Sequence, residues 1–473
     1  MPATVHHRAA GAAARAGGSP PAAVRAGTDA EGFRAHAPLW ATPTPLGEAS
    51  MHAATTPARP RPHRRLRSIA AAAVLAAGAI APAVTATTAH AAPLREVMFV
   101  GNNWEGTADV IKSSGDFAKI GRVNVVPDRS QRLTAIYLNP INLAVFLGIR
   151  ATAGEGHDQL VDDLYSTPDG SALVASRPSF GDVVSIDLTT GKVRWRFAVS
   201  GYRADHMSVS PDGTKVAVSA SLGKVVHVLD INTGKQLGSF ATGDKPHENI
   251  FTRDGRYILN MSIGNVETDF DDPSQDWTKG DRHLTIADTS TYKVVKTIDM
   301  RSRLDAFGRK DLSNAIRPAV FSPDESKLYF QVSFFNGLVE YDMATDKITR
   351  VKTLPKNPAT SDDRTTFVND SRHHGLSMSP DGSRLCVAGT MDDYATIVNR
   401  SSLQEGPLVT ASKPYWATVS GDGRACVISE SGADQVTAID FGTGQKITSV
   451  PVGDHPQRVR LAHVPATWTG TTG

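Results

Sequence analysis

The sequence predicts an all-β chain, a seven-bladed β-propeller of four-stranded antiparallel blades closed by N- and C-terminal strands that share one blade. Three observations predict it. Short runs of β-favouring residues alternate with tight turns, as in HMSVSPDGTKVAVSASLGKVVHVLDINTGK from His206 to Lys235. Val216, Val218, Val225, Val226, Val228 and Ile231 suit a pleated, half-buried surface, and the Pro-Asp-Gly and Asn-Thr-Gly breaks between them are hairpin chemistry. The unit then repeats along the chain. Finally, the two ends hold complementary parts of one further unit.

The repeat is countable. Its first turn reads TPDG at Thr167, SPDG at Ser210, TRDG at Thr252, SPDE at Ser322, SPDG at Ser379 and SGDG at Ser420. The aspartates at its third position (Asp169, Asp212, Asp254, Asp324, Asp381 and Asp422) lie 43, 42, 70, 57 and 41 residues apart. A period in the low forties is that of a propeller blade, and the two long intervals are blades with insertions. The second turn recurs as TTGK at Thr189, NTGK at Asn232, STYK at Ser290, ATDK at Ala344 and GTGQ at Gly442. Residues 96–111 and 121–126 supply strands without a first one, and GDHPQRVRLAHV near the C-terminus matches the blade opening GDKPHENIFTRD and stops. Joining them closes the ring and leaves no open strand edge.

The combination of VG-x-x-P, strand, SPDG, strand, V-x-V-x-D and TG-x-x resembles the YVTN-repeat β-propellers, the broad lactonase-like group, over residues 94–464. The resemblance implies an exported bacterial propeller. For activity it implies lactone hydrolysis or a metal-assisted elimination, although fold alone does not license a reaction.

Residues 1–60 are rich in Ala, Pro, Arg and Gly without apolar periodicity, so they read as disordered, with residues 1–50 lying upstream of a true start at Met51. Residues 61–91 read as a signal peptide, with Arg64-Arg65-Leu66-Arg67, an apolar run from Ile69 to Ala81, and Ala89-His90-Ala91 before the cut. The run is too short for a stable membrane span. The expectation is a secreted or extracytoplasmic monomer, with the propeller over 92–466 and a disordered tail over 467–473. Removing residues 1–91 leaves 41 basic and 45 acidic side chains, and no basic patch points to nucleic acid. Cys386 and Cys426 occupy what looks like the same strand position in successive blades. Export favours a disulfide, but equivalent positions would point the same way, so the two are expected not to face one another. With no C-x-x-C-H, covalent c-type haem is excluded.

The innermost strand of each blade lines the channel, so its first residues rim the mouth. Aligned on the first turn, Asp162, Asp205, His247, Arg317, His374, Tyr415 and Gln457 are equivalent, followed by Asp163, His206, Glu248, Pro318, Gly375, Trp416 and Arg458. Five of the nine histidines after residue 91 (His206, His247, His373, His374 and His455) fall in or beside these rings. His206, His247 and His374 are the candidate bases. Asp205 and Glu248 are candidate metal ligands, for a divalent ion such as Ca2+ or Mg2+. Asp162, Asp163, Arg317, His373, Tyr415, Trp416 and Arg458 are candidate ligand-binding residues, the arginines suiting a carboxylate or phosphate. Four insertions, 127–157, 264–281, 301–314 and 352–372, are expected to gather over this face, with Leu143–Leu147 packing on the mouth. The reading is a small polar or anionic ligand bound at the channel mouth, with hydrolase or lyase chemistry. The alternative is a non-catalytic module binding a cell-surface protein. A redox enzyme with non-covalent haem or quinone ranks below both.

Overall fold

The computed structural model describes residues 93–266, 273–367 and 371–472. The signal segment and the stretch before it lie outside the described residues. Seven sheets follow one another along the chain, six of four antiparallel strands and one of five, in which the short Thr471–Thr472 strand runs parallel to Lys119–Asn124. Blades one to six take their innermost strands from Leu164–Ser166, Ala204–Val209, Pro246–Phe251, Ile316–Phe321, Leu376–Met378 and Pro414–Val419. The seventh blade is shared as the sequence implies: C-terminal Pro456–Pro465 pairs with N-terminal Leu94–Asn102, from Leu94 opposite Pro465 to Asn102 opposite Pro456.

The turn motifs owe their residues to side-chain hydrogen bonds. In blade two, Ser210 Oγ lies 2.5 Å from Asp212 Oδ1 and accepts from Lys215 N at 3.0 Å. Asp212 Oδ1 in turn accepts from Thr214 N. The Ser or Thr and the Asp thus take up the turn's amide groups. The following residue has positive φ and is glycine in five blades. In blade four it is Glu325, at φ 55°.

Adjacent blades meet through apolar clusters, one at each of the seven interfaces. Strand alternation assigns neighbouring residues to opposite interfaces. Val216 and Val218 of blade two pack towards blade one, whereas Ala217 packs towards blade three. Burial on both faces accounts for near-continuous apolar runs such as Tyr257–Met261.

That alternation corrects the cysteine expectation, because Cys386 and Cys426 form a disulfide with Cα atoms 6.3 Å apart. Counted from the turn serines, Cys386 is seven residues after Ser379 but Cys426 only six after Ser420. The offset of one residue turns their side chains to opposite faces, and both enter the cluster between blades five and six.

The tail also departs from expectation. Trp468 is nine-tenths buried, its Nε1 donating to Leu188 O, and Gly470 O accepts from Arg122 N. The insertion 127–157 is helical, with α1 (Arg129–Tyr137) and α2 (Pro140–Ala151) at 114° to one another. Asn139 caps α2, accepting from Ile141 N and Asn142 N. Among the described residues no single helix is long and apolar enough to cross a membrane. Insertion 301–314 forms most of α3 (Met300–Phe307), which packs on blade four through Met300, Leu304 and an Arg303–Asp346 pair.

Candidate functional site

Five of the seven innermost strands share a local irregularity where the rings lie. In blade two, Ala204 faces Ala220 and Met207 faces Val218, so the innermost strand carries one extra residue across Asp205 and His206. The same insertion spans His247 and Glu248, Arg317 and Pro318, Tyr415, and Gln457 and Arg458. These are β-bulges, which re-aim side chains that strict alternation would send to opposite faces. Two consecutive residues of one strand can then both approach the axis. The sequence does not show the bulges, but an extra residue in a repeated strand is their signature.

Six of the seven aligned first-ring residues line one cavity of about 230 Å³: Asp162, Asp205, His247, Arg317, Tyr415 and Gln457. His206 reaches the same wall. The seventh, His374, lies just inside, its ring centroid 5.4 Å from that of His247 and 4.3 Å from that of Tyr415. The lid is the C-terminal half of α2, where Val145 and Ile149 contribute an apolar edge. It is fixed at its end by Lys413 Nζ to Glu155 at 2.8 Å and by the stack of His157 on Trp104. Val266 brings the second insertion to the cavity, whereas insertions 301–314 and 352–372 contribute no lining residue among those described. Two of the four insertions therefore line the cavity among the described residues.

The electrostatics divide the two aspartates. Burial pushes the Asp162 carboxyl up to about 7, with Arg458 opposing and Asp205 and Asp163 adding to the rise. Burial would raise Asp205 too, but Arg203 and the Ser221 hydroxyl both bond to its carboxylate and hold it below the usual range. Burial, with Arg458 and neighbouring imidazoles, pushes His206 and His374 well below the usual histidine value. Burial, with Arg317 and Arg458, does the same to His247. All three imidazoles are therefore neutral at neutral pH. Their rings form one group, His206 on His247 at 3.7 Å and His206 to His374 at 6.0 Å between centroids.

Several expected site residues do other work. Asp163 is fully buried and accepts from Arg460 Nε and Nη2 at 2.8 and 2.7 Å and from Met207 N, closing blade seven onto blades one and two. His373 points away from the axis, its Nε2 2.9 Å from Asp392, a carboxylate also bound by Arg372. Glu248 is engaged by a histidine: its Oε2 lies 2.7 Å from His206 Nδ1, and burial raises its carboxyl to about 8. Trp416 and Arg458 sit one layer below the mouth, the guanidinium 4.2 Å from the indole centroid and 3.5 Å from Asp162. Together with Glu248 and Arg460 they plug the axis, and beyond them a second cavity of about 550 Å³ opens towards the opposite face.

Sequence reasoning missed Arg203 and Ser221, which hold Asp205. Ser221 directly follows a second strand and Arg203 precedes a first one, so only alignment of the blade tops would have exposed them.

No family model and no curated protein matches the chain. Among solved structures, the hydrazine synthase of Kuenenia stuttgartiensis is similar in outline, with a TM-score of 0.49 and 17% identity, covering 64% of this chain and 95% of that one. A likeness this slight says nothing of activity.

Proposed function

We propose that this chain is an exported, lactonase-like YVTN-repeat propeller that binds a small anionic molecule at the channel mouth and acts on it by hydrolysis or elimination. The observation that supports the reading most is convergence, since six ring residues from six blades meet at one cavity of metabolite size. Arg317, Lys245 and Arg203 on its wall suit a carboxylate or phosphate. Asp162 Oδ2 is buried with no protein hydrogen bond among the described residues, which leaves it available to take a proton from water or from a substrate carbon. For a lactone, water adds to the carbonyl as its proton passes to Asp162. The ring C–O bond then breaks, and the leaving alkoxide takes the proton back.

The test is turnover of carboxylate-bearing five- and six-membered lactones, with calorimetric titration of citrate and inorganic phosphate. Asp162→Asn is expected to lower kcat by about 10²–10⁴-fold, and Arg317→Gln to raise KM. Wild-type turnover by Asp162→Asn would remove its role, and failure to bind any of these anions would end the ligand reading. The export element rests on residues 61–91, and a secreted product whose N-terminus is not Ala92 would refute that cleavage.

A second reading, docking of a protein partner at the cell surface, is favoured by exposed apolar side chains on the first and second insertions. Leu138 is 80% and Trp277 83% exposed. Charge substitutions at both that leave cell association unchanged would count against it.

A further inference from the structure

We propose that His206, His247 and His374 hold one divalent transition-metal ion, of the class of Zn2+, Co2+, Ni2+ or Cu2+, at the inner end of the mouth cavity. The inference rests on the channel-mouth reading above and supplies the Lewis acid for it. Three blades, the second, third and fifth, each contribute one imidazole, and one ring nitrogen from each lies within 4.8 Å of the others. All three side chains are buried.

Their orientation is the independent observation. Metal-binding histidines characteristically use one ring nitrogen on the ion and the other on a carboxylate or backbone carbonyl. His206 places Nδ1 against Glu248 at 2.7 Å, which turns Nε2 towards the cluster. His374 places Nδ1 3.4 Å from Tyr415 O and leaves Nε2 buried with no protein partner among the described residues. His247 Nδ1 is likewise buried and without one. Two imidazoles thus carry the outer contacts of a metal site, and two buried ring nitrogens, His247 Nδ1 and His374 Nε2, have no hydrogen-bond partner among the described residues, a costly arrangement for a polar group.

The donor set selects the ion. Imidazoles suit borderline transition metals, whereas Ca2+ and Mg2+ demand oxygen. Of the carboxylates first assigned to such an ion, Asp205 forms a second donor group with Asp162 and His206 but is already bonded by Arg203 and Ser221, and Glu248 is bonded by His206. Tetrahedral zinc with ligands at about 2.0–2.1 Å needs nitrogens roughly 3.3 Å apart, so small side-chain rotations close the group. Charge is offset nearby: Asp205 Oδ1 lies 3.7 Å and Asp162 Oδ2 4.0 Å from His206 Nε2. Because His206 and His247 also line the cavity, the remaining coordination position faces the bound anion, as in catalytic rather than structural sites.

The experiment uses the purified full chain, stripped with chelator and titrated with Co2+ by visible absorption and with Zn2+ against a chromophoric chelator, no organic anion being present. One equivalent per chain is expected. His206→Ala, His247→Ala and His374→Ala should each abolish stoichiometric uptake, and Glu248→Gln should weaken it about 10–100-fold. The exposed His463→Ala should bind as wild type. Circular dichroism checks folding, and His247→Asn replaces any alanine variant that does not fold. Absence of stoichiometric uptake by wild type, or uptake unchanged in the histidine variants, overturns the proposal. Citrate binding without metal uptake would sink this inference alone, and metal uptake without anion binding would sink only the ligand reading.

Discussion

The Cys386–Cys426 bond makes a quantitative prediction. It joins the second strands of blades five and six and closes a loop with a sequence separation of 40 residues. Restricting the unfolded chain by a loop of that length stabilises the native state by about 4 kcal/mol in the chain-entropy model. Both half-cystines are fully buried among Ile397, Ala417 and Ile428, so native protein is protected from reductant and the bond must be cut after unfolding. The assay is urea unfolding of wild type and of Cys386→Ala/Cys426→Ala, each refolded with and without dithiothreitol. Wild type should lose roughly 4 kcal/mol when reduced, while the double variant, already lacking the bond, should give one curve under both conditions. Two free thiols in unreduced, denatured protein, or a wild-type curve indifferent to reductant, would refute the one-residue offset.

Two further outcomes follow from buried charge. Asp163→Asn leaves the Arg460 guanidinium without its bidentate partner where the ring closes, and by the usual penalty for an uncompensated buried charge it should cost about 3–5 kcal/mol in urea unfolding; a cost below about 1 kcal/mol would mean the pair is solvated. His455 is held down to about 3 by burial, with Lys413 and His157 adding to the effect. Because its folded value is depressed, the unfolded chain gains a proton below about pH 6.5 that the native state refuses, so stability is present above that pH and falls on acidification until about pH 3. Between pH 7 and pH 5 the loss is about 2 kcal/mol, and His455→Gln should reduce the acid sensitivity by that amount; an unchanged slope would place the sensitivity elsewhere.

Architecture was legible because the turns are chemically explicit. A Ser or Thr that accepts from the amide five residues on, and an Asp that accepts from the amide two residues on, leave a motif readable without coordinates. The first ring was legible for the same reason: its residues stand at a nearly constant distance before that motif. What the motif does not record is which way a side chain turns. Asp163 and His373 were placed at the mouth by position; Asp163 points into an ion pair between blades, and His373 into a contact with Asp392 within blade five. The cysteines were misjudged by a single residue of register, which a period of two converts into opposite faces. The helices of the first insertion were missed because α1 begins without a side-chain cap and the apolar stretch Leu143–Leu147 was read as loop.

The bulges connect the repeat to the chemistry. A regular strand would present the axis with one residue from each ring pair and bury the other between blades, so each blade could offer a single functional side chain at its top. An extra residue there lets His206 follow Asp205, and Glu248 follow His247, with all four near the axis. The outcome is two layers, an upper one that meets solvent through the cavity and a lower one, Glu248, Trp416, Arg458 and Arg460, that stops the channel. That stop matters physically. An open channel would hydrate the imidazoles from below and relieve the burial that keeps them neutral, whereas a plugged one exposes them to the mouth alone. Replacing the Trp416 indole by alanine should therefore perturb the histidines in two ways, by removing its contacts with the rings of His206 and His374 and by admitting water from the opposite cavity.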